Sequence, residues 1–278
     1  MPTIVETRGL TRRYGDNIAL ENLNLQIPEG AIFGFIGPNG AGKTTTMRIL
    51  TTLLSPSSGE AWVAGQSVLD NARAVRSLVG FMPDFFGVYE NMKSWEYLDF
   101  FGRAYSVPPE RRSSAIGDLL DLVDLGHKRD DFVMNLSRGM KQRLSLARTM
   151  IHDPKLLILD EPASGLDPRA RIELRELLKE LRALGKTIMI SSHILTELAE
   201  MCTHIGIIER GHLLASGDVA TIMRSLQPHR TLEVRVLAEV ARAEQLLRGH
   251  ASVLSVRRDG ALDEPEAVDV LPSTGEPS

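Results

Sequence analysis

Cysteine is almost missing from this sequence: Cys202 stands alone in 278 residues. That excludes an intramolecular disulfide and a cysteine-only zinc site, and the thiol reads as a structural one in a reducing compartment. Aromatic residues are scarce, at 5%. No apolar run approaches the roughly 18 residues of a membrane-spanning helix. The first thirty residues include Glu6, Arg8, Arg12, Arg13 and Asp16, so they hold no hydrophobic signal-peptide core. A large charge of one sign is missing too. Lys and Arg number 32 against 36 Asp and Glu, a formal net charge of −4. That balance argues against a strongly basic nucleic-acid binder. The expectation is a cytosolic chain that reaches a membrane only through a partner.

What is present is an ordinary globular composition, 43% apolar and 24% charged, with enough chain for one large domain or two small ones. The charge is uneven. Residues 260–278 carry Asp263, Glu264, Glu266, Asp269 and Glu276 with no Lys or Arg, and three prolines besides. They read as an acidic flexible tail.

Hydrophobic periodicity orders the rest. Ala31-Ile32-Phe33-Gly34-Phe35-Ile36 and Leu156-Leu157-Ile158-Leu159 have the length of buried strands, as does Thr187-Ile188-Met189-Ile190. Residues 91–152 change to a helical period: Ile116, Leu119, Leu120 and Val123 share one face, and Gly126 is placed to stop that helix. Ser137 can cap the next helix, and Asp167-Pro168 opens another. Strands alternating with helices predict an α/β fold with a mostly parallel sheet covered on both faces. The expected organisation is a main domain over 1–228 with an antiparallel β part at its start and a helical insertion at about 91–152. A small β-α-β extension over 229–259 and the tail follow it.

Two motifs carry chemistry. Gly37-Pro38-Asn39-Gly40-Ala41-Gly42-Lys43-Thr44 fits Gly-x-x-x-x-Gly-Lys-[Ser/Thr], between a strand and a helix. Glycines let backbone N–H groups converge on an anion, and the helix N-terminus adds its dipole. Lys43 would reach the β- and γ-phosphates of a nucleotide, and the Thr44 hydroxyl would hold Mg²⁺. Asp160 and Glu161 stand just past a buried strand, where a parallel sheet binds its ligands. Asp160 is placed to complete the Mg²⁺ shell and Glu161 to polarise an attacking water.

Further segments follow in the order of one superfamily. Asn135-Leu136-Ser137-Arg138-Gly139-Met140-Lys141-Gln142-Arg143 looks like its signature segment, Ser164-Gly165-Leu166-Asp167 like its D-loop, and Ile190-Ser191-Ser192-His193 like its switch region. Tyr14 matches the aromatic on which adenine stacks. Over about residues 3–225 the chain resembles the ATP-binding subunit of ABC transporters, a phosphate-loop NTPase fold, and within that group the bacterial multidrug, antibiotic and polysaccharide exporters. The resemblance implies ATP and Mg²⁺ as cofactors, with Gly37, Pro38, Asn39, Gly40, Ala41, Gly42, Lys43, Thr44 and Thr45 on the phosphates. It implies a second ATPase subunit, a homodimer more than a heterodimer, facing the first head to tail. Ser137 and Gly139 would then donate to the γ-phosphate across the interface, and Asp167 would link the two sites. Glu161 would activate the water, with His193 holding the γ-phosphate in register. The power stroke would pass to separate transmembrane permease subunits, so the chain would sit at the cytoplasmic face of the membrane, with no nucleic acid involved.

Three places depart from or extend that pattern. Asp84 occupies the position of a glutamine that touches Mg²⁺ and water, and Gln66 comes too early to replace it. A carboxylate there would still serve as a metal ligand, directly or through water. Arg138 replaces the usual first glycine of the signature. Phe85, Phe86 and Tyr89 would either line the groove that receives a permease helix or fill the helical insertion. Two other readings stand beside the transporter: a soluble ATPase of the same fold acting on ribosomes or nucleic acid, and a low-turnover module that senses ATP.

Overall fold

The computed structural model describes all residues except 1, 85, 86, 88, 90, 227–231, 237, 238, 251, 252, 260–266 and 273–278. The chain divides into two units, 1–222 and 223–278.

The first unit is built on a six-stranded sheet. Its order is His212–Asp218, His204–Glu209, Ile32–Ile36, Thr187–Ser192, Leu156–Leu159 and Val79–Met82. All neighbours run parallel except the edge strand His212–Asp218. The central strands Ile32–Ile36, Leu156–Leu159 and Thr187–Ser192 are buried along their whole length. Continuous apolar runs are what a strand covered on both faces requires. A second, antiparallel sheet forms from the start of the chain, where Thr3–Tyr14 pairs with Asn17–Leu23, Gln26–Pro28 and Ser58–Val63. The α/β class, the antiparallel start and the helical insertion are all present.

Register positions the site. Ile36 lies opposite Ser192, Leu159 opposite Ile190, and Met82 opposite Leu159. Four strands therefore end together, and residues 37, 83, 160 and 193 emerge along one edge. Two backbone bonds continue the ladder past the ends: Gly37 N–H donates to Ser192 O at 3.2 Å and Asp160 N–H to Met82 O at 2.8 Å.

The insertion holds three helices, Ser94–Ala104, Pro109–Leu122 and Arg138–Met150. Tyr97, Leu98, Ile116, Leu120, Leu144 and Ala147 share a core with the inner face of the sheet. The second helix ends at Leu122 and not at Gly126, because the chain turns at Asp124, whose φ is +56°; Gly126 begins a 3₁₀ turn instead. Burial pushes the Cys202 thiol up to about 12, so it stays protonated at neutral pH. Among the described residues no helix is long and apolar enough to cross a membrane.

The second unit has the helix Val240–Arg248 and a three-stranded sheet ordered Leu232–Arg235, Ala267–Pro272 and Val253–Asp259. The middle strand comes from the segment read above as a flexible tail, which is a correction for residues 267–272. Ala267-Val268-Asp269-Val270-Leu271 is a short, mostly apolar run with two β-branched valines, and both flanking strands pair with it antiparallel.

Candidate active site

The phosphate loop leaves the strand Ile32–Ile36 and enters the helix Lys43–Leu50. The turn depends on glycine at two points. Gly42 has φ +108°, and a Cβ there would stand 2.6 Å from Leu20 Cδ2 and 2.7 Å from Ala19 O. At Gly37 a Cβ would stand 2.1 Å from Ile208 O. No side chain caps this helix. Its first N–H groups face a cavity of about 190 Å³ lined by residues 38–45 with Asp84, Asp160 and Glu161. An uncapped helix N-terminus in a concave site is suited to phosphate.

The Lys43 side chain is buried, and its ammonium donates to Gly37 O at 2.6 Å and to Pro38 O at 3.3 Å. It also stands 3.4 Å from Glu161 Oε1. That contact is an ion pair without hydrogen-bond geometry, since Glu161 Oε1 is buried and has no hydrogen-bond partner. Glu161 lines the cavity, and a carboxylate oxygen left without a hydrogen bond has capacity for a donor such as water.

Thr44 Oγ1 donates to Asp160 Oδ2 at 2.8 Å. The carboxylate is almost fully buried, at 2% exposure. A hydroxyl and a carboxylate oxygen brought together are the hard donors that Mg²⁺ takes alongside nucleotide phosphates. Among the described residues no group of three or more acidic, His or Cys side chains could hold a metal by itself. The arrangement fits an ion that arrives with a nucleotide. The Asp84 carboxyl is raised above its ordinary value, first by partial burial and then by the neighbouring charges of Asp160 and Glu161, with Arg138 acting in the opposite sense.

Glu161 adopts φ +48°, a left-handed conformation that costs a non-glycine residue about 1–3 kcal/mol. Ser191 holds it there. Ser191 Oγ accepts the Glu161 N–H at 2.8 Å and donates to Asp160 Oδ1 at 2.5 Å. No role was expected for Ser191, because only the parallel register sets it beside the acidic pair. His193 Nδ1 stands 3.1 Å from Glu161 Oε2, with the imidazole half exposed.

The remaining expected residues lie elsewhere. Ser137 caps the helix Arg138–Met150, accepting the Met140 N–H at 3.3 Å. Asp167 caps Pro168–Ala183, accepting the Ala170 N–H at 2.9 Å. With Gly139, Gly165 and Leu166 they line a separate depression that includes no phosphate-loop residue. Tyr14 ends the first strand, 45% exposed, with the Arg12 guanidinium 4.6 Å from its ring centre. Tyr89 packs edge-on against Phe100 at 5.3 Å between ring centres while staying half exposed. Phe85 and Phe86 fall outside the described residues.

This geometry defines a phosphate-loop nucleotide hydrolase, with a buried lysine, a threonine-aspartate pair and a poised glutamate around one anion cradle. Known proteins narrow the class. The family model described as "ABC transporter" matches residues 20–164. A Nod factor export ATP-binding protein I from Cupriavidus metallidurans is 36% identical over 240 residues, which is 86% of this chain and 76% of that protein. The bacitracin transport ATP-binding protein BcrA of Bacillus licheniformis is 40% identical over 215 residues, 77% of this chain and 69% of that one. The solved structure of an ATP binding subunit of an ABC transporter superposes with TM-score 0.73 at 30% identity, covering 80% of this chain and 93% of that one. The chain belongs to the ABC transporter family, as an ATP-binding and ATP-hydrolysing subunit.

Proposed function

We propose that this chain powers export of a solute by separate membrane-spanning subunits, working as a pair of copies closed by ATP and Mg²⁺. The export reading draws on the printed functions of the two relatives. The pairing draws on one observation: Ser137 and Gly139 face a depression apart from the phosphate cavity of their own chain. Each chain thus offers two half-sites, and a head-to-tail pair would complete both.

In this mechanism Lys43 exchanges Gly37 O for the β- and γ-phosphates, and the loop N–H groups take the other phosphate oxygens. Thr44 and Asp160 would hold Mg²⁺, with Asp84 at the rim of the same cavity, where the ion would supply positive charge against that developing on the phosphates. Glu161 Oε1 accepts a proton from the attacking water. His193 braces Glu161 through its other oxygen. On the facing copy, the Ser137 hydroxyl still has its hydrogen to donate, because its oxygen is what accepts the Met140 N–H. Asp167, capping its helix at the same face, would connect the two sites.

Coupling to the membrane subunits would use a groove of about 580 Å³ between the sheet edge and the insertion. Arg48, Arg76 and Arg148 line it with Phe81, Phe101 and Tyr105. The near-neutral charge gives a ribosome or nucleic-acid role no support. An ATP-sensing role without turnover fits poorly with the orphaned Glu161 oxygen.

The test is a tagged pull-down from gently solubilised native cells, paired with phosphate release by the purified chain. A polytopic membrane protein in stoichiometric amount, and release lost in both Lys43→Ala and Glu161→Gln, supports the reading. Recovery in a ribosomal or soluble fraction with no membrane partner overturns it.

A further inference from the structure

Arg138 is the first residue of the helix Arg138–Met150, between Ser137 and Gly139. Its guanidinium reaches back over the D-loop of its own chain. Nη2 donates to Ser164 O at 3.5 Å, the limit of a hydrogen bond. The plane lies against Gly165: a Cβ at that position would stand 2.5 Å from Nη2, 2.6 Å from Cζ and 2.9 Å from Nη1. A side chain at 165 would require this guanidinium to shift. Among the described residues no carboxylate lies within ion-pair distance of this cation. The residue is exposed, and of the five donors of its guanidinium only the long bond to Ser164 O is made among the described residues.

We propose that Arg138 is a catalytic residue acting in trans, donating to the terminal phosphates of the ATP held by the facing copy. This rests on the two-subunit reading above. The physical case has three parts. The guanidinium starts one residue from both groups expected to meet that phosphate. Its single long bond to Ser164 O is a weak hold, so a multiply charged anion can displace it. A planar fork of donors takes two phosphate oxygens at once, as an ammonium cannot.

The experiment uses full-length chains carrying Glu161→Gln, so that ATP is not consumed, with two different affinity tags. One chain in each pair also carries Lys43→Ala, leaving a single phosphate loop that binds nucleotide. With the Lys43→Ala chain in excess, ATP-driven association is read by capture on that chain's tag and quantification of the other tag, so that pairs of identical chains are not counted. In the first pair, Arg138→Ala sits on the chain with the intact loop. In the second, it sits on the Lys43→Ala chain. The inference expects the first pair to match the pair without Arg138→Ala. The second should need about tenfold more ATP, or higher still, for half-maximal association, the size of a lost charge-assisted bond. Arg138→Lys on that chain should recover part of the loss. Equal ATP requirement in both arrangements overturns the inference, as does a loss confined to the first.

Ser137→Ala, placed in the same two arrangements, separates the two layers. If Ser137→Ala weakens association only from the opposite chain and Arg138→Ala does not, the pairing stands and the role of Arg138 falls. If no pair associates with ATP, or Ser137→Ala acts from neither side, the two-subunit reading itself fails and takes this inference with it.

Discussion

Ser191 Oγ donates to Asp160 Oδ1 at 2.5 Å while accepting the backbone N–H of Glu161 at 2.8 Å. One hydroxyl therefore fixes both the carboxylate proposed to hold Mg²⁺ and the residue that would activate water. Ser191→Ala leaves a buried carboxylate short of a donor and a backbone N–H without an acceptor. The expected cost is about 1–3 kcal/mol for each orphaned group. Thermal unfolding should show it as a lowered Tm. Turnover should require more Mg²⁺ at fixed ATP, since Asp160 loses its orientation. Ser191→Thr retains the hydroxyl and should keep most of both. A Tm loss with an unchanged Mg²⁺ requirement would limit Ser191 to a structural part.

Glu161→Gln should separate binding from hydrolysis. The amide cannot take a proton from water, and loss of a positioned general base costs about 10²–10⁴-fold in rate. The same change removes the charge that stands 3.4 Å from the Lys43 ammonium. Lys43 is then released more readily to the phosphates, so ATP affinity should hold or rise. Isothermal titration with ATP and a phosphate-release assay on the same sample check both halves. Reduced ATP affinity would mean that Glu161 supports the nucleotide pocket itself.

The chemistry was legible where it is written in contiguous residues. The loop at 37–44, the pair Asp160-Glu161 and the caps Ser137 and Asp167 all follow from short strings, because turn geometry and strand ends are local. The Ser191 bridge was not legible. It exists only because Leu159 pairs with Ile190, which sets residue 191 beside residue 160. The helix Ala72–Leu78 was missed as well: Val75 is its one buried residue, so its sequence shows no apolar face. The adjoining strand Val79–Met82 carries Gly80, a weak strand former, at a point where a Cβ would stand 2.2 Å from Thr149 O. In the second unit, the acidic charge and prolines on either side hid the short, valine-containing apolar run that forms the strand 267–272.

His152 gives the fold a pH dependence. Its ring stacks on Tyr105 at 3.8 Å between centres, and Nε2 donates to Val79 O at 3.0 Å. Nδ1 is buried without a partner, so the imidazolium has nowhere to place its second proton. Burial, foremost, holds the pKa below its ordinary 6.5. The unfolded chain then binds the proton more tightly than the folded one. Stability is full above about pH 6.5 and declines as pH falls toward the folded-state value. His152→Phe keeps the stack and removes the titration. Its Tm should fall less than that of the parent between pH 7 and pH 5. Parallel Tm curves for the two proteins would show that His152 does not titrate in this way.

Tyr14 should recognise the base through the face of its ring. Arg12 donates to Ser55 O at 2.9 Å, which anchors its guanidinium while it covers Tyr14. The ring is thus held in place and still 45% exposed. Stacking of a base on an aromatic side chain contributes about 1–3 kcal/mol and is tolerant of base identity, because every base has a π-face. Tyr14→Ala should therefore weaken ATP and GTP binding by similar factors, about 5- to 150-fold, while Tyr14→Phe changes little. Tripolyphosphate has no base and should bind Tyr14→Ala as well as it binds the parent. Equal losses for tripolyphosphate and ATP would instead mean that Tyr14 acts by shaping the hairpin beside the loop, with no part in stacking.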